Sequence, residues 1–191
     1  MGTRERIIDA AEQAIQEFGI SGATTKRIAK QAACSEALLY KHFAGKEELF
    51  LAVVTERMPA LGPALEELRA AAGRGDLRTN LVTFTLAALG FYTRAQGIAG
   101  GLLGDPALIT GFRAMLAERG AGPHVPIQVL AGILRDEQRA GRVDAGLDAD
   151  AAASMLMGAC FHRANLARFV DLPGHGDEEW AAAVVGTLLR R

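Results

Sequence analysis

The stretch TTKRIAKQAACSEALLYKHFAGK, residues 24–46, predicts two short helices joined by a tight turn. Thr24 can cap a first helix over residues 26–32, because a hydroxyl oxygen accepts a hydrogen bond from an unpaired N–H of the first turn. Ser35 can cap a second helix over residues 36–42 in the same way. Only two residues remain for the turn between them, so the stretch has the pattern of a helix-turn-helix.

Each of these helices is expected to have one apolar face and one polar face. Ile28 would be buried in the first helix, and Leu39 and Phe43, four residues apart, in the second. The outward positions are mostly basic, since residues 24–46 carry five cations and one anion in a chain whose formal charge is −1. Such charges often form only a solvated surface. Their concentration here favours a surface that meets phosphates.

An ordered set of short elements runs through residues 10–50, namely Ala10-Ala11, Phe18-Gly19, Thr24-Thr25, Ile28-Ala29, Ser35, Leu39-Tyr40, His42-Phe43, Lys46-Glu47 and Leu49. This set resembles the N-terminal domain of the TetR family of bacterial transcriptional regulators. The sequence departs from that family in the turn, where it has Ala33-Cys34 and the family commonly has Gly-Val. The resemblance implies an all-α fold, in which a three-helix N-terminal domain is joined through a fourth helix to a larger helical bundle that binds a ligand and dimerises.

The resemblance also implies that double-stranded operator DNA is a partner. The residues that match phosphate-binding or base-facing positions, or flank them on the same helices, are Thr24, Thr25, Lys26, Arg27, Ser35, Glu36, Ala37, Leu38, Tyr40, Lys41, His42 and Lys46. Among the base-facing ones, Lys41 could donate to a guanine edge. Glu36 could accept from a cytosine amine or stabilise the start of its own helix, and the second role is favoured.

The rest of the 191-residue chain has the composition of a helical protein. Half of it is hydrophobic, and long Ala/Leu segments alternate with Gly, Pro and Asp breaks. The glycines between residues 96 and 105 predict a break in the helical pattern. We expect helices over residues 3–18, with Gly19 as the stop, and over 46–58, 63–72, 76–94, 106–119, 126–140, 148–170 and 178–191.

Prolines at positions 59 and 63 interrupt the fourth helix and predict a domain boundary. Residues 1–46 would then form the helix-turn-helix domain, residues 46–58 the connecting helix, and residues 59–191 the effector-binding and dimerisation domain. No apolar stretch reaches the ~18 residues of a membrane span, and the N-terminus lacks the apolar core of a signal peptide. We therefore expect a cytoplasmic protein without a membrane partner.

The last two predicted helices are apolar on more than one face, which predicts a homodimer because an uncovered second face would be an exposed patch. The expected interface is Leu156, Ala159, Arg163, Leu166, Trp180, Val184 and Leu188. The resemblance implies an effector pocket as well. The residues that could line it, or could equally fill a packed core, are Phe84, Tyr92, Phe112, Met115, Met155, His162, Asn165 and Phe169.

These features favour a transcriptional regulator over an enzyme. The resemblance implies a repressor that binds a near-palindromic operator as a homodimer and is released by a small, largely apolar effector; a constitutive repressor with a filled core is the alternative. A nucleophile elbow is missing, and the four histidines form no metal-binding pair at helical spacing. We therefore expect no catalytic residue, no metal and no cofactor.

Overall fold

The computed structural model describes residues 2–57, 61–172 and 176–190, with the side chains of residues 96–101 and 103 left aside. Every regular element within these ranges is an α-helix, as predicted. In the same ranges no helix is both long enough and apolar enough to cross a membrane. The helices are α1 (Thr3–Gly22), α2 (Thr25–Gln31), α3 (Glu36–His42), α4 (Lys46–Arg57), α5 (Leu61–Ala70), α6 (Leu77–Leu103), α7 (Pro106–Glu118), α8 (His124–Arg139), α9 (Ala149–Leu166) and α10 (Asp177–Leu188).

The chain folds into two compact units, each with its own hydrophobic core. The first comprises Met1–Pro59 and Arg94–Gly120, and the second Ala60–Thr93 and Ala121–Arg191. Leu102 belongs to the same buried cluster as the cores of α1 and α4. The predicted limits of the domains stay a prediction, and the one at residue 59 lies outside the described residues.

The helix-turn-helix forms as predicted, with its caps in place. The Thr24 hydroxyl accepts a hydrogen bond from the N–H of Arg27 at 3.3 Å, and the Ser35 hydroxyl accepts one from the N–H of Leu38 at 3.1 Å. Between the two helices Ala33 has φ +51°, and it is the one non-glycine residue with a positive φ in the described part of the chain. This is the position at which the family commonly has glycine.

A positive φ also marks Gly19, where the first helix was predicted to stop. Its φ is +68°, a value that favours glycine, and it interrupts the regular helix. One more turn follows, up to Gly22, and this short continuation was not predicted.

The break predicted between residues 96 and 105 is confined to Gly104 and Asp105, because α6 continues through Gly97, Gly100 and Gly101 to Leu103. Each glycine lowers helix stability by roughly 1 kcal/mol relative to alanine, but packing can outweigh that cost. Leu102, near the helix end, is buried in the core of the first unit. Asp105 then caps α7 by accepting from the N–H groups of Ala107 and Leu108.

The last two helices are shorter than predicted. Asp148 caps α9 as expected, accepting at 3.0 Å from the N–H of Ala151, but the helix ends at Leu166 and not at residue 170. The helix α10 ends at Leu188, and residue 191 lies outside the described part.

A buried carboxylate holds the loops of the second unit together. Glu137 is 1% exposed. It accepts hydrogen bonds from Arg142 (Nη2–Oε1 2.8 Å) and from the N–H of Gly73 (3.0 Å). Arg142 also donates to the carbonyl of Gly75 at 3.0 Å. The Arg142 guanidinium keeps the pKa of the Glu137 carboxyl below its ordinary value.

Replacing Ala33 by glycine is expected to stabilise the protein. A left-handed conformation costs a side-chain-bearing residue roughly 1–2 kcal/mol, while glycine's greater freedom in the unfolded chain offsets roughly 0.5–1 kcal/mol of that gain. We expect Ala33→Gly to raise the free energy of unfolding in urea by about 0.5–1 kcal/mol. The control Ala114→Gly, at an exposed position of α7, should lower it by about 1 kcal/mol. A destabilised Ala33→Gly protein would contradict the strain at this turn.

Candidate nucleic-acid interface

The exposed surface of α3 is defined by what the helix buries. Leu39 and Phe43 are inside the first unit, so the residues on the opposite side point to solvent. That solvent-facing side carries Glu36, Ala37, Tyr40, Lys41 and His42, while Leu38 is half-buried. Tyr40 is 51% exposed, which is high for a large aromatic side chain. We call this surface, together with Thr24, Thr25 and Lys46, the α3 face.

Three lysines between residues 24 and 46 are not paired with acids among the described residues. In the described part of the chain, none of the ion pairs includes Lys26, Lys30 or Lys41. The ammonium of Lys46 lies 5.0 Å from the centre of the Phe50 ring, and its flexible stem lets it leave that ring for a stronger partner. Among the described residues, Lys26, Lys30, Lys41 and Lys46 therefore make no ion pair, which favours the attraction of phosphates.

Hydroxyl groups on the α3 face are linked to its one carboxylate. The Thr25 hydroxyl donates to Glu36 Oε2 at 3.1 Å, and the Tyr40 hydroxyl donates to Thr25 Oγ1 at 3.5 Å. Glu36 lies in the first turn of α3, where a negative charge is favourable, but its side chain does not cap the helix. Ser35 provides the cap, and the Glu36 side chain turns towards α2.

Arg27, one of the predicted DNA-binding residues, makes contacts within the protein. Its guanidinium stacks over the Phe18 ring at 3.7 Å and donates to the carbonyl of Gly22 at 3.2 Å. These contacts close the corner between α1 and α2. The spacing of apolar residues along the helices does not predict this role, because the contacts join two different helices.

Ion pairs within this domain fasten α4 to α1. Arg4 donates to both carboxylate oxygens of Glu56, at 2.9 and 2.7 Å, and Arg57 Nε lies 2.7 Å from Asp9 Oδ1. The hydrogen bond from Arg4 lowers the pKa of Glu56. Partners about fifty residues apart could not be paired from the sequence. Arg4 and Arg57 thus hold two helices together, whereas the lysines without ion pairs do not.

The predicted effector residues are distributed over both units. Phe112 and Met115 belong to the first unit, and the others to the second. Within the second unit Phe84 is buried in the core, whereas Met155 and Phe169 are 71% and 76% exposed.

The remaining three predicted effector residues also differ in their surroundings. His162 is exposed and Asn165 half-buried. Tyr92 packs edge-on against Phe91 and Phe161, and burial raises the pKa of its hydroxyl. The stripe of α9 assigned to a pocket therefore faces largely outward.

A groove of about 580 Å³ runs between α9 and α10. Four of the predicted interface residues line it, namely Leu156, Ala159, Val184 and Leu188, and Met155 joins them. Leu156 is itself buried and so can contribute only the floor of the groove.

Three predicted interface residues lie outside this lining. Arg163 donates to Asp177 at 2.9 Å and stacks on the Trp180 ring at 4.9 Å, contacts that tie α9 to α10 within one chain. Leu166 is half-buried.

Comparisons with known proteins agree with this architecture. Residues 7–53 match the model of the bacterial regulatory proteins of the tetR family. The uncharacterized HTH-type transcriptional regulator YvkB of Bacillus subtilis is 27% identical over 175 residues, which cover 90% of this chain and 88% of YvkB.

Solved structures share the fold of the whole chain. A protein of Mesorhizobium loti assigned to the TetR family superposes with a TM-score of 0.73 at 21% identity, over 98% of this chain and 95% of that one. The transcriptional regulator FadR of Bacillus subtilis, solved in complex with stearoyl-CoA, superposes with a TM-score of 0.62 at 20% identity, over 97% of both chains.

The variant Lys46→Ala is expected to weaken binding to duplex DNA of any sequence. If Lys46 binds a phosphate, the slope of log affinity against log salt should decrease in magnitude by about 0.9 for each phosphate that is no longer neutralised. Fluorescence anisotropy over a salt series measures both quantities. Arg69→Ala, which removes an exposed cation from α5, serves as the control and should change neither. An unaltered slope for Lys46→Ala would show that Lys46 does not bind a phosphate.

Proposed function

We propose that this chain, whose residues 7–53 match the model of the tetR family, is a helix-turn-helix transcriptional regulator that represses transcription as an effector-responsive homodimer on a near-palindromic operator. The observation that carries the proposal is the α3 face, the exposed side of a short helix that carries Lys41, a lysine without an ion pair among the described residues. An α-helix with its side chains is roughly 10–12 Å in diameter, which suits a major groove roughly 12 Å wide.

The side chains of the α3 face suit the two tasks of a DNA-binding surface, which are to bind phosphates and to contact bases. Thr24 and Ser35 use a hydroxyl lone pair for their caps, so each keeps its proton for a phosphate. Lys46 and His42 offer further phosphate donors. Ala37 and Lys41 lie between them, where a methyl group can touch a thymine and an ammonium can reach a guanine edge.

Dimerisation through the groove between α9 and α10 would supply the second α3 helix that the proposed operator requires. An open apolar groove that includes the exposed Met155 is favourable to cover, at about 25 cal/mol for each Å² of apolar surface removed from water. A two-fold axis would place the same groove of a second copy against it. Two α3 helices could then enter successive major grooves about 34 Å apart, which explains a near-palindromic operator.

The effector of the proposed repressor is a compound with a long apolar part. FadR of Bacillus subtilis, which has this fold, was solved with stearoyl-CoA, and this supports such a ligand as the candidate. The ligand would have to favour the DNA-incompetent arrangement by roughly 1–3 kcal/mol to change operator affinity 5–150-fold. The alternative, a constitutive repressor, is favoured by the dense packing around Phe84 in the core of the second unit.

Selection of bound duplexes from a random pool tests the DNA-binding part of the proposal. We expect enrichment of a two-fold symmetric site, and loss of reporter transcription when that site overlaps a promoter in cells that make the protein. Failure of a folded, dimeric, ligand-free preparation to enrich any sequence would refute operator recognition. Increased reporter transcription would identify an activator.

The selected duplex is then the probe for an effector. Acyl-CoAs and small apolar compounds should raise the melting temperature and lower operator affinity together, since a ligand that binds both states equally shifts nothing. Compounds that leave both quantities unchanged would favour the constitutive repressor.

Met155→Glu is expected to weaken dimerisation and with it operator binding. A charge at this exposed groove position would have to be desolvated in the dimer but not in the monomer, so the fold should tolerate it. Sedimentation velocity should show monomers at concentrations at which the unmodified protein is dimeric. The control Ser154→Glu adds the same charge at the adjacent position of α9, outside the groove lining. Equal dimerisation of both variants would place the interface elsewhere.

A further inference from the structure

Glu36 is the one acidic residue between Thr24 and Lys46, and it lies on the face that the proposed function directs towards DNA. It does not neutralise a neighbouring lysine, because no ion pair in the described part of the chain includes it. A carboxylate at this place repels phosphates and lowers the affinity for DNA of every sequence. Its contact with Thr25 indicates a role that could offset this loss of affinity.

The hydrogen bonds around Glu36 have a fixed direction. A carboxylate only accepts, a threonine hydroxyl has one proton to donate, and so does a tyrosine hydroxyl. Thr25 gives its proton to Glu36 Oε2 at 3.1 Å, and Tyr40 gives its proton to Thr25 Oγ1 at 3.5 Å. The shorter contact directs the Thr25 proton to the carboxylate, and the longer, weaker one directs the Tyr40 proton to Thr25.

The arrangement follows from the helix geometry. Glu36 and Tyr40 are four residues apart on α3 and so share one face, and Thr25 at the start of α2 lies against both. Ser35 already caps α3, which leaves the Glu36 carboxylate free for this contact. The two hydroxyls most suited to hold a phosphate are thus occupied before DNA arrives.

We propose that Glu36 determines sequence specificity by withholding the hydroxyl protons of Thr25 and Tyr40 from DNA phosphates until an exocyclic base amine replaces Thr25 at its carboxylate. The N4 amine of cytosine, exposed in the major groove, is the donor that a carboxylate is best suited to accept from. At a matching site the carboxylate is satisfied by the base, and both hydroxyls can turn to phosphates. At other sites they stay on Glu36, and the phosphate contacts remain incomplete.

The inference rests on the proposed function, and its first test uses the operator obtained by selection and a scrambled duplex of equal length. Glu36→Gln keeps the size of the side chain and removes its charge. We expect affinity for the scrambled duplex to rise about 2- to 12-fold per half-site, the range for one hydrogen bond, and operator affinity to rise less. The control Glu12→Gln on α1 removes the same charge, and its two affinities should rise equally. An unchanged ratio of operator to scrambled affinity in Glu36→Gln would overturn the proposal.

A second test separates withheld protons from simple repulsion. Thr25→Val removes the hydroxyl that links Glu36 to Tyr40 while keeping the branched shape of the side chain. In that background Glu36→Gln should raise scrambled-duplex affinity less than it does with Thr25 in place, because only the relief of charge repulsion remains. An equal gain with and without the Thr25 hydroxyl would show that Glu36 acts by charge alone and would refute the mechanism.

Base preferences of the variant give the third readout. A repeat selection with Glu36→Gln should lose preference at one base pair in each half-site, a cytosine in the unmodified protein's operator. If the variant still recognises the operator and keeps its base preference at every position, this inference is overturned and the proposed function is left intact. Failure of the unmodified protein to select any site would overturn both.

Discussion

The burial of Leu39 and Phe43 is the constraint on which the DNA-binding surface depends. A helix of seven residues is too short to be stable by itself in water, so α3 exists only because these two side chains lie in the core of the first unit. Their burial also fixes the rotation of the helix, because side chains at helical spacing must then point the other way. Tyr40 and Lys41 are exposed as a direct consequence.

The arginines and lysines of this domain differ in their partners. Arginines such as Arg4 and Arg57 are paired with acids and fasten α4 to α1, whereas Lys26, Lys30 and Lys41 have no acid partner among the described residues. Paired charges contribute local rigidity, and unpaired ones contribute long-range attraction for phosphates. Glu36 is the exception, because it is an acid without an ion pair among the described residues. In our proposal its hydrogen bond with Thr25 makes the affinity for DNA depend on the base sequence.

In the second unit, the hydrophobic pattern of the sequence is a poor guide to which side chains are buried. The helix α9 is apolar on nearly all sides, so its hydrophobic pattern does not show which side meets the core. The structure buries Leu156 and exposes Met155, although the sequence pattern had suggested the first for an interface and the second for a pocket. The groove shared with α10 nevertheless combines residues from both expected sets.

The sequence alone determined the helical class, the two capped helices of the DNA-binding motif and the outward face of α3, because caps and apolar spacing act over three or four residues. It also identified the turn position at which Ala33 is strained. Only the tertiary structure decided that α6 continues through its glycines, that Arg27 closes a corner and that Glu36 meets Thr25. These features depend on packing and on contacts between separate helices, which local pattern does not encode.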